Sequence, residues 1–172
     1  MEFFQLTVFK GNYRHRIDPK GRLPIPAAFR HALAQAGARA IVLTPLDQCV
    51  AAYPPAEWTR LEAQLRGLPA LSRPVKALTR LLLSRAVDCM LDTQGRVLLP
   101  ASLRTAAGLE QEALVVGVLT RFEVWAPGRW QSFVTDSERL LEAAGLDVQW
   151  PLPAPGPLEP PPARLPQEKP RR

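Results

Sequence analysis

Asp18-Pro19-Lys20-Gly21-Arg22-Leu23-Pro24-Ile25-Pro26-Ala27-Ala28-Phe29-Arg30 recurs at a constant offset of 74 as Asp92-Thr93-Gln94-Gly95-Arg96-Val97-Leu98-Leu99-Pro100-Ala101-Ser102-Leu103-Arg104. Asp, Gly, Arg, Pro, Ala and the closing Arg are identical in the two blocks, and the apolar positions stay apolar. A self-similar pair of this length makes the chain a tandem repeat before any other feature is considered.

Each block has a physical reading. Asp at the first position and Gly at the fourth predict a type I turn, with Pro19 where such a turn favours proline. The alternation Arg22-Leu23-Pro24-Ile25, echoed by Arg96-Val97-Leu98-Leu99, predicts a short strand, with residues 13–17 and 87–91 as its expected hairpin partners. Pro26 and Pro100 fit the first position of a short helix that turns Phe29 and Leu33, or Leu103, inward and is closed by Gly37 or Gly108.

The echo continues downstream with a slip of one residue. Ala40-Ile41-Val42-Leu43 matches Ala113-Leu114-Val115-Val116 as a buried strand. Cys49 to Pro54 with Trp58 matches Phe122 to Pro127 with Trp130. A unit of strands with one short helix is too small to bury a sufficient core alone, so the two copies are expected to pack as an internal pseudo-dimer. Between them, 54–68 and 72–83 read as helices. In the latter Val75, Leu78, Leu81 and Leu82 form one apolar stripe, as of a packing helix, with Lys76 and Arg80 left to solvent. Residues 127–144 read as the matching helix after the second unit, with Trp130, Phe133, Leu140 and Leu141 inward.

The fold class expected is therefore α+β, mainly β. The first module spans 9–54, connecting helices 55–83, the second module 84–127 and a C-terminal helix 128–146. Residues 147–172 form a tail expected to be extended and unpacked, because nine prolines fall within 151–172 with few large apolar side chains.

Charge is unevenly divided. Residues 1–30 carry six basic and two acidic groups, 31–83 six and three, 84–150 six and nine, and 151–172 four and two, giving the net +6. The basic field sits on the N-terminal half and points to a polyanionic partner. Two isolated cysteines, Cys49 and Cys89, fit a reduced cytosolic setting better than a disulfide framework. The start has no basic-then-apolar leader pattern, and the longest apolar runs fall short of a membrane span.

At these residues the chain resembles the MraZ family, whose members carry two SpoVT/AbrB-like modules. The resemblance rests on Gly11-Asn12-Tyr13, the two Asp-to-Arg blocks, Leu81-Leu82-Leu83 and Arg121-Phe122-Glu123-Val124-Trp125, and covers roughly residues 9–145. It implies tandem swapped-hairpin modules, ring-shaped homo-oligomers, and a cytoplasmic, nucleoid-associated regulator. The DNA it implies is double-stranded, at promoter direct repeats upstream of the division and cell-wall gene cluster. Carried over by position, the DNA-facing loop falls on Lys20-Gly21-Arg22 and on Gln94-Gly95-Arg96. Pro19 stands where the family usually has Ser, which stiffens the turn without changing its type, and Met1 to Val8 read either as an N-terminal extension or as a mis-assigned start, with no assigned role.

Arginine can fork onto guanine or grip phosphate, while lysine offers a mobile point charge. Arg22 and Lys20 are therefore the expected principal DNA contacts, with Arg14 and Arg16 as phosphate-binding neighbours and Arg96 in a lesser role, since Gln94 stands where the first loop has Lys20. The competing reading of Arg22 is that it caps its own turn by pairing with Asp18. Arg30 and Arg104 read as structural or interfacial, and His15 and His31 lack companions at metal spacing.

Two aspartates related by an internal repeat raise the question of a shared-proton catalytic dyad. An arginine beside each would hold both carboxylates ionised and oppose it. No nucleophile–base pair or phosphate loop is present in the sequence, so neither an enzyme nor a cofactor, metal or small-molecule substrate is expected. The alternative to a DNA-binding regulator is a ring-forming scaffold or antitoxin-like protein-binding module.

Overall fold

In the computed structural model, residues 8–145 are described. The proposed tail and residues 1–7 of the N-terminal extension lie outside them. The elements run β1 (Asn12–Arg16), β2 (Arg22–Pro24), α1 (Ala27–Gln35), β3 (Ala40–Leu46), β4 (Cys49–Tyr53), α2 (Pro55–Arg66), α3 (Arg73–Leu83), β5 (Val87–Met90), β6 (Arg96–Leu98), α4 (Ala101–Ala107), β7 (Glu112–Val118), β8 (Arg121–Trp125) and α5 (Pro127–Ala144). Residues up to Asp136 form one unit, and Ser137 onward, the end of α5, falls in a second.

Six strands form one antiparallel sheet in the order β1-β7-β8-β4-β3-β5, and β2 pairs with β6 in a separate ribbon. The order is palindromic in repeat terms. Each module lends its first strand to the other: β1 pairs with β7, Tyr13 opposite Val115, and β5 pairs with β3, Ile41 opposite Cys89. β4 and β8 meet at the centre, Val50 opposite Val124. The architecture is thus α+β with two intertwined modules.

The exchange is the swap that the family resemblance implied, and it replaces the local hairpins read from turn chemistry. β1 and β2 flank a tight turn but do not pair as a ladder. β2 instead pairs with β6, Leu23 opposite Val97 and Pro24 opposite Arg96. Proline is tolerated there because the ribbon has only two strands, so one side of each needs no ladder partner.

Pro26 and Pro100 occupy the N-cap rather than the first helical position. The Pro26 carbonyl accepts from the N–H groups of Phe29 and Arg30. α4 ends on Gly108 in the left-handed conformation, φ +63°, where glycine pays no Cβ penalty.

One core joins both modules and includes Leu23, Phe29, Leu33 and Ile41 from the first and Val97, Leu103, Val115 and Phe122 from the second. Phe9, at 1% exposure, edges onto Phe29 and tilts against Phe122, with ring centroids 5.2 and 5.3 Å away. It reaches this position through a close approach to β7: a Cβ at Gly117 would lie 2.3 Å from the backbone N of Lys10.

The outer helices depart further from expectation. In α3 only Leu82 is buried, its carbonyl accepting from the buried Thr44 hydroxyl at 2.9 Å, while Leu78 and Leu81 of the predicted stripe are exposed. In α5, Trp130 and Phe133 lie against Trp125, but Phe133 is half-exposed and Leu140 and Leu141 are exposed. Both helices are amphipathic by sequence, but part of the apolar face of each is left uncovered among the described residues.

Candidate nucleic-acid interface

The ribbon of β2 and β6 brings the two repeat turns side by side. Gly21 N–H donates to the Asp18 carbonyl at 2.8 Å and Gly95 N–H to that of Asp92 at 2.9 Å, closing each turn as predicted. Inside each turn the aspartate is an organiser. Asp18 Oδ1 accepts from the backbone N–H groups of Lys20 and Arg22, both at 2.9 Å, and Oδ2 accepts from Arg22 Nε at 2.6 Å. Asp92 repeats this pattern with Gln94 and Arg96, the Arg96 Nε bond being 2.8 Å. These bonds, the backbone one from the arginine foremost, hold both carboxyls below the usual aspartate range. Both sets of bonds favour the ionised carboxylate.

The cap reading of Arg22 thus describes a real interaction, made equally by Arg96. Each arginine uses Nε on its own aspartate, and this orients the rest of the guanidinium. The Arg22 side chain remains 33% exposed and that of Arg96 24%. Lys20 is exposed, and only its backbone is engaged in the turn.

Gly21 and Gly95 adopt φ of +83° and +73°, a region side-chain-bearing residues rarely enter. They also make room for arginines from the opposite module. A Cβ at Gly21 would meet the Arg104 guanidinium at 3.2 Å, and one at Gly95 would fall 2.3 Å from Arg30 Cδ. Arg104 Nε donates to the Leu99 carbonyl at 3.2 Å, whereas the exposed Arg30 side chain has no hydrogen-bond or carboxylate partner among the described residues. The interfacial reading of these two arginines is therefore correct in placement, but sequence could not place each over the other copy's turn. The signal available was their shared position in the repeat.

Arg14 and Arg16 project from the exposed face of β1. Arg14 Nη1 lies 3.5 Å from Glu112 Oε2, so its charge is partly answered. Arg16 lines a cleft with Asp18, Pro19, Arg104, Glu110 and Gln111, beside the first turn. Five cationic side chains, Lys20, Arg22, Arg30, Arg96 and Arg104, thus converge on two turns holding two carboxylates, Asp18 and Asp92. Such an array can present forked and point-charge donors to an anionic, hydrogen-bond-accepting surface.

Among the described residues no group of three or more His, Cys, Asp or Glu could hold a metal ion. No helix there is long and apolar enough to cross a membrane. Cys49 is buried and its thiol pushed far up, by burial first and then by Glu123 and Asp47.

Comparison with known proteins agrees with this architecture. The family profile described as "MraZ protein, putative antitoxin-like" matches twice, over residues 8–80 and 82–146. A transcriptional regulator MraZ of Moorella thermoacetica is 43% identical over 136 residues, covering 79% of this chain and 93% of that protein. One from Limosilactobacillus reuteri is 46% identical, covering 74% and 87%, and one from Desulfitobacterium hafniense 45% identical, covering 80% and 94%. With both modules matched in tandem and relatives covered nearly end to end, the chain belongs to the MraZ family of transcriptional regulators.

Proposed function

We propose that this protein is a sequence-specific DNA-binding regulator that acts as a homo-oligomeric ring on promoter direct repeats upstream of the division and cell-wall genes, in the cytoplasm and at the nucleoid. The observation that carries the reading is the convergence of five cationic side chains on the paired turns of the β2–β6 ribbon. A two-stranded ribbon is of a size the DNA major groove admits. Arg22 and Lys20 are the leading contacts, Gly21, itself buried against Arg104, holds the turn that presents them, and Arg14 and Arg16 grip phosphate beside them. Arg96 contributes less.

Each module alone offers one turn and few contacts. A ring that sets neighbouring subunits on sites about one helical turn (~10 bp) apart would multiply modest affinities. The names of the relatives support regulation of transcription.

Mobility shift on the protein's own upstream DNA tests the reading. Arg22→Ala should abolish the shift, and Arg96→Ala should have a smaller effect. Equal loss from both would remove the asymmetry, and binding without salt slope or sequence preference would remove the DNA reading. A second reading, as a scaffold or antitoxin-like module that binds protein, draws on the exposed leucines of α3 and the wording of the family description. Salt-independent association with a protein partner would favour it.

A further inference from the structure

α2 and α3 face each other across an open groove of about 340 Å³. Leu65, Val75 and Leu83 supply apolar walls, and Arg66, Lys76 and Arg80 line it as cations. These three cationic side chains are exposed and have no carboxylate or hydrogen-bond partner among the described residues. The one carboxylate lining the groove, Glu62, accepts from Trp58 Nε1 at 2.9 Å. α3 carries Arg73, Lys76 and Arg80 and no acidic residue. An apolar groove edged with unanswered positive charge fits a helical segment of opposite pattern, leucine flanked by carboxylates.

The last turns of α5 have that pattern. Glu138 and Glu142 are four residues apart and so share one face of the helix, with Leu141 beside them and Leu140 beyond. Leu140 and Leu141 are exposed. Lys76 and Arg80 are also four residues apart on α3, so both charge pairs recur at the same rise, about 6 Å. The internal repeat shows why two such faces stand open. α2, which follows β4, has α3 across from it; α5, which follows β8, has no successor helix among the described residues.

We propose that the α2–α3 groove is a docking surface for the C-terminal turns of α5 from a second copy of this chain. Leu141 enters between Leu65, Val75 and Leu83, and Glu138 and Glu142 meet Lys76 and Arg80. Groove and ligand are different surfaces, so the contact is head-to-tail, the type that propagates until it closes. The inference rests on the assembly part of the proposed function and assigns residues to it.

The test uses two full-length charge-reversal variants. One carries Lys76→Glu with Arg80→Glu, the other Glu138→Arg with Glu142→Arg. By light scattering after size exclusion, each alone is expected to lose the mass of the parent assembly. Mixed in equal amounts they are expected to regain it, because each groove then finds a complementary helix in the other chain. Parental mass in either variant alone, or a mixture that stays dissociated as it would if α5 filled its own chain's groove, overturns this interface. A parent that is itself monomeric removes the assembly reading along with it, whereas a parent oligomer indifferent to both reversals leaves assembly standing and removes only this contact.

Discussion

Nη1 of Arg96 lies 4.0 Å from Oδ2 of Asp18, while Nε of the same arginine donates to Asp92 at 2.8 Å. Arg96 is therefore shared between the carboxylates of both turns, whereas Arg22, among the described residues, has an ion pair with Asp18 alone. The turns that look alike in sequence differ in free charge. The second has an arginine answered twice and Gln94 in place of Lys20, which favours the first turn as the leading contact.

Lys20 offers the cleanest test of that lead, because its side chain supports nothing in the turn. Lys20→Ala should leave the unfolding temperature unchanged and reduce the slope of log affinity against log salt by about 0.9 if it neutralises one phosphate. Gln94→Lys should steepen the slope. A Lys20→Ala variant with the parent slope removes Lys20 from the interface.

Acid should loosen the ribbon through Asp18 and Asp92. Both carboxyls are held below their ordinary range by the arginine backbone N–H first and its side chain next. Their contribution is thus present above the unfolded value, about 3.9, and is lost as pH falls through the lower folded values. A pH series of unfolding temperature should fall in this acid range, and Asp18→Asn with Asp92→Asn should flatten it. An unchanged acid limb in the double variant would show that other groups set it.

Gly117 and Gly95 are both crowded, but with different neighbours. At Gly117 the obstacle is backbone of Phe9 and Lys10, so Gly117→Ala must push that strand away and should cost roughly 1–3 kcal/mol or more. At Gly95 the obstacle is the exposed Arg30 side chain, which can swing aside, so Gly95→Ala should cost mainly its positive φ, roughly 1–2 kcal/mol. Denaturant titration of the two variants gives the comparison, with the larger loss expected at Gly117.

Phe9→Ala should destabilise by about 3–5 kcal/mol, since the ring packs on Phe29 of one module and Phe122 of the other. Unfolding should stay a single transition with a lower midpoint. A loss under about 1 kcal/mol would mean that the Phe9 segment is dispensable to the joint core.

The tandem modules, their turns, their short helices and the buried strands at 40–43 and 113–116 were legible because they rest on local chemistry. Asp-x-x-Gly sets a turn, proline and glycine bracket a helix, and an apolar run wants a core. The partner of β2 was not legible. Turn chemistry fixes only that the chain reverses at Asp18, and both a hairpin and an exchanged ribbon satisfy that reversal.

The outer faces of α3 and α5 were misjudged for a related reason. An apolar stripe states that a surface seeks cover, but whether Leu81 or Leu141 finds it within one chain depends on how much helix the sheet can hold. Arg30 and Arg104 show the same limit at the candidate site. Their repeat position was plain, yet only the exchange of strands puts Arg30 over Gly95 and Arg104 over Gly21.

By itself, then, the sequence determined two copies of one module, the aspartate-organised turns and the cations they carry, because those are set by residues within a few positions of one another. The family resemblance implied that strands are swapped; the tertiary structure decided which, β1 onto β7, β5 onto β3 and β2 onto β6, and that Arg96 reaches Asp18. Those contacts join residues between 44 and 104 positions apart, and they are selected by the burial of Leu23, Val97 and Phe122 in one shared core rather than by any local preference.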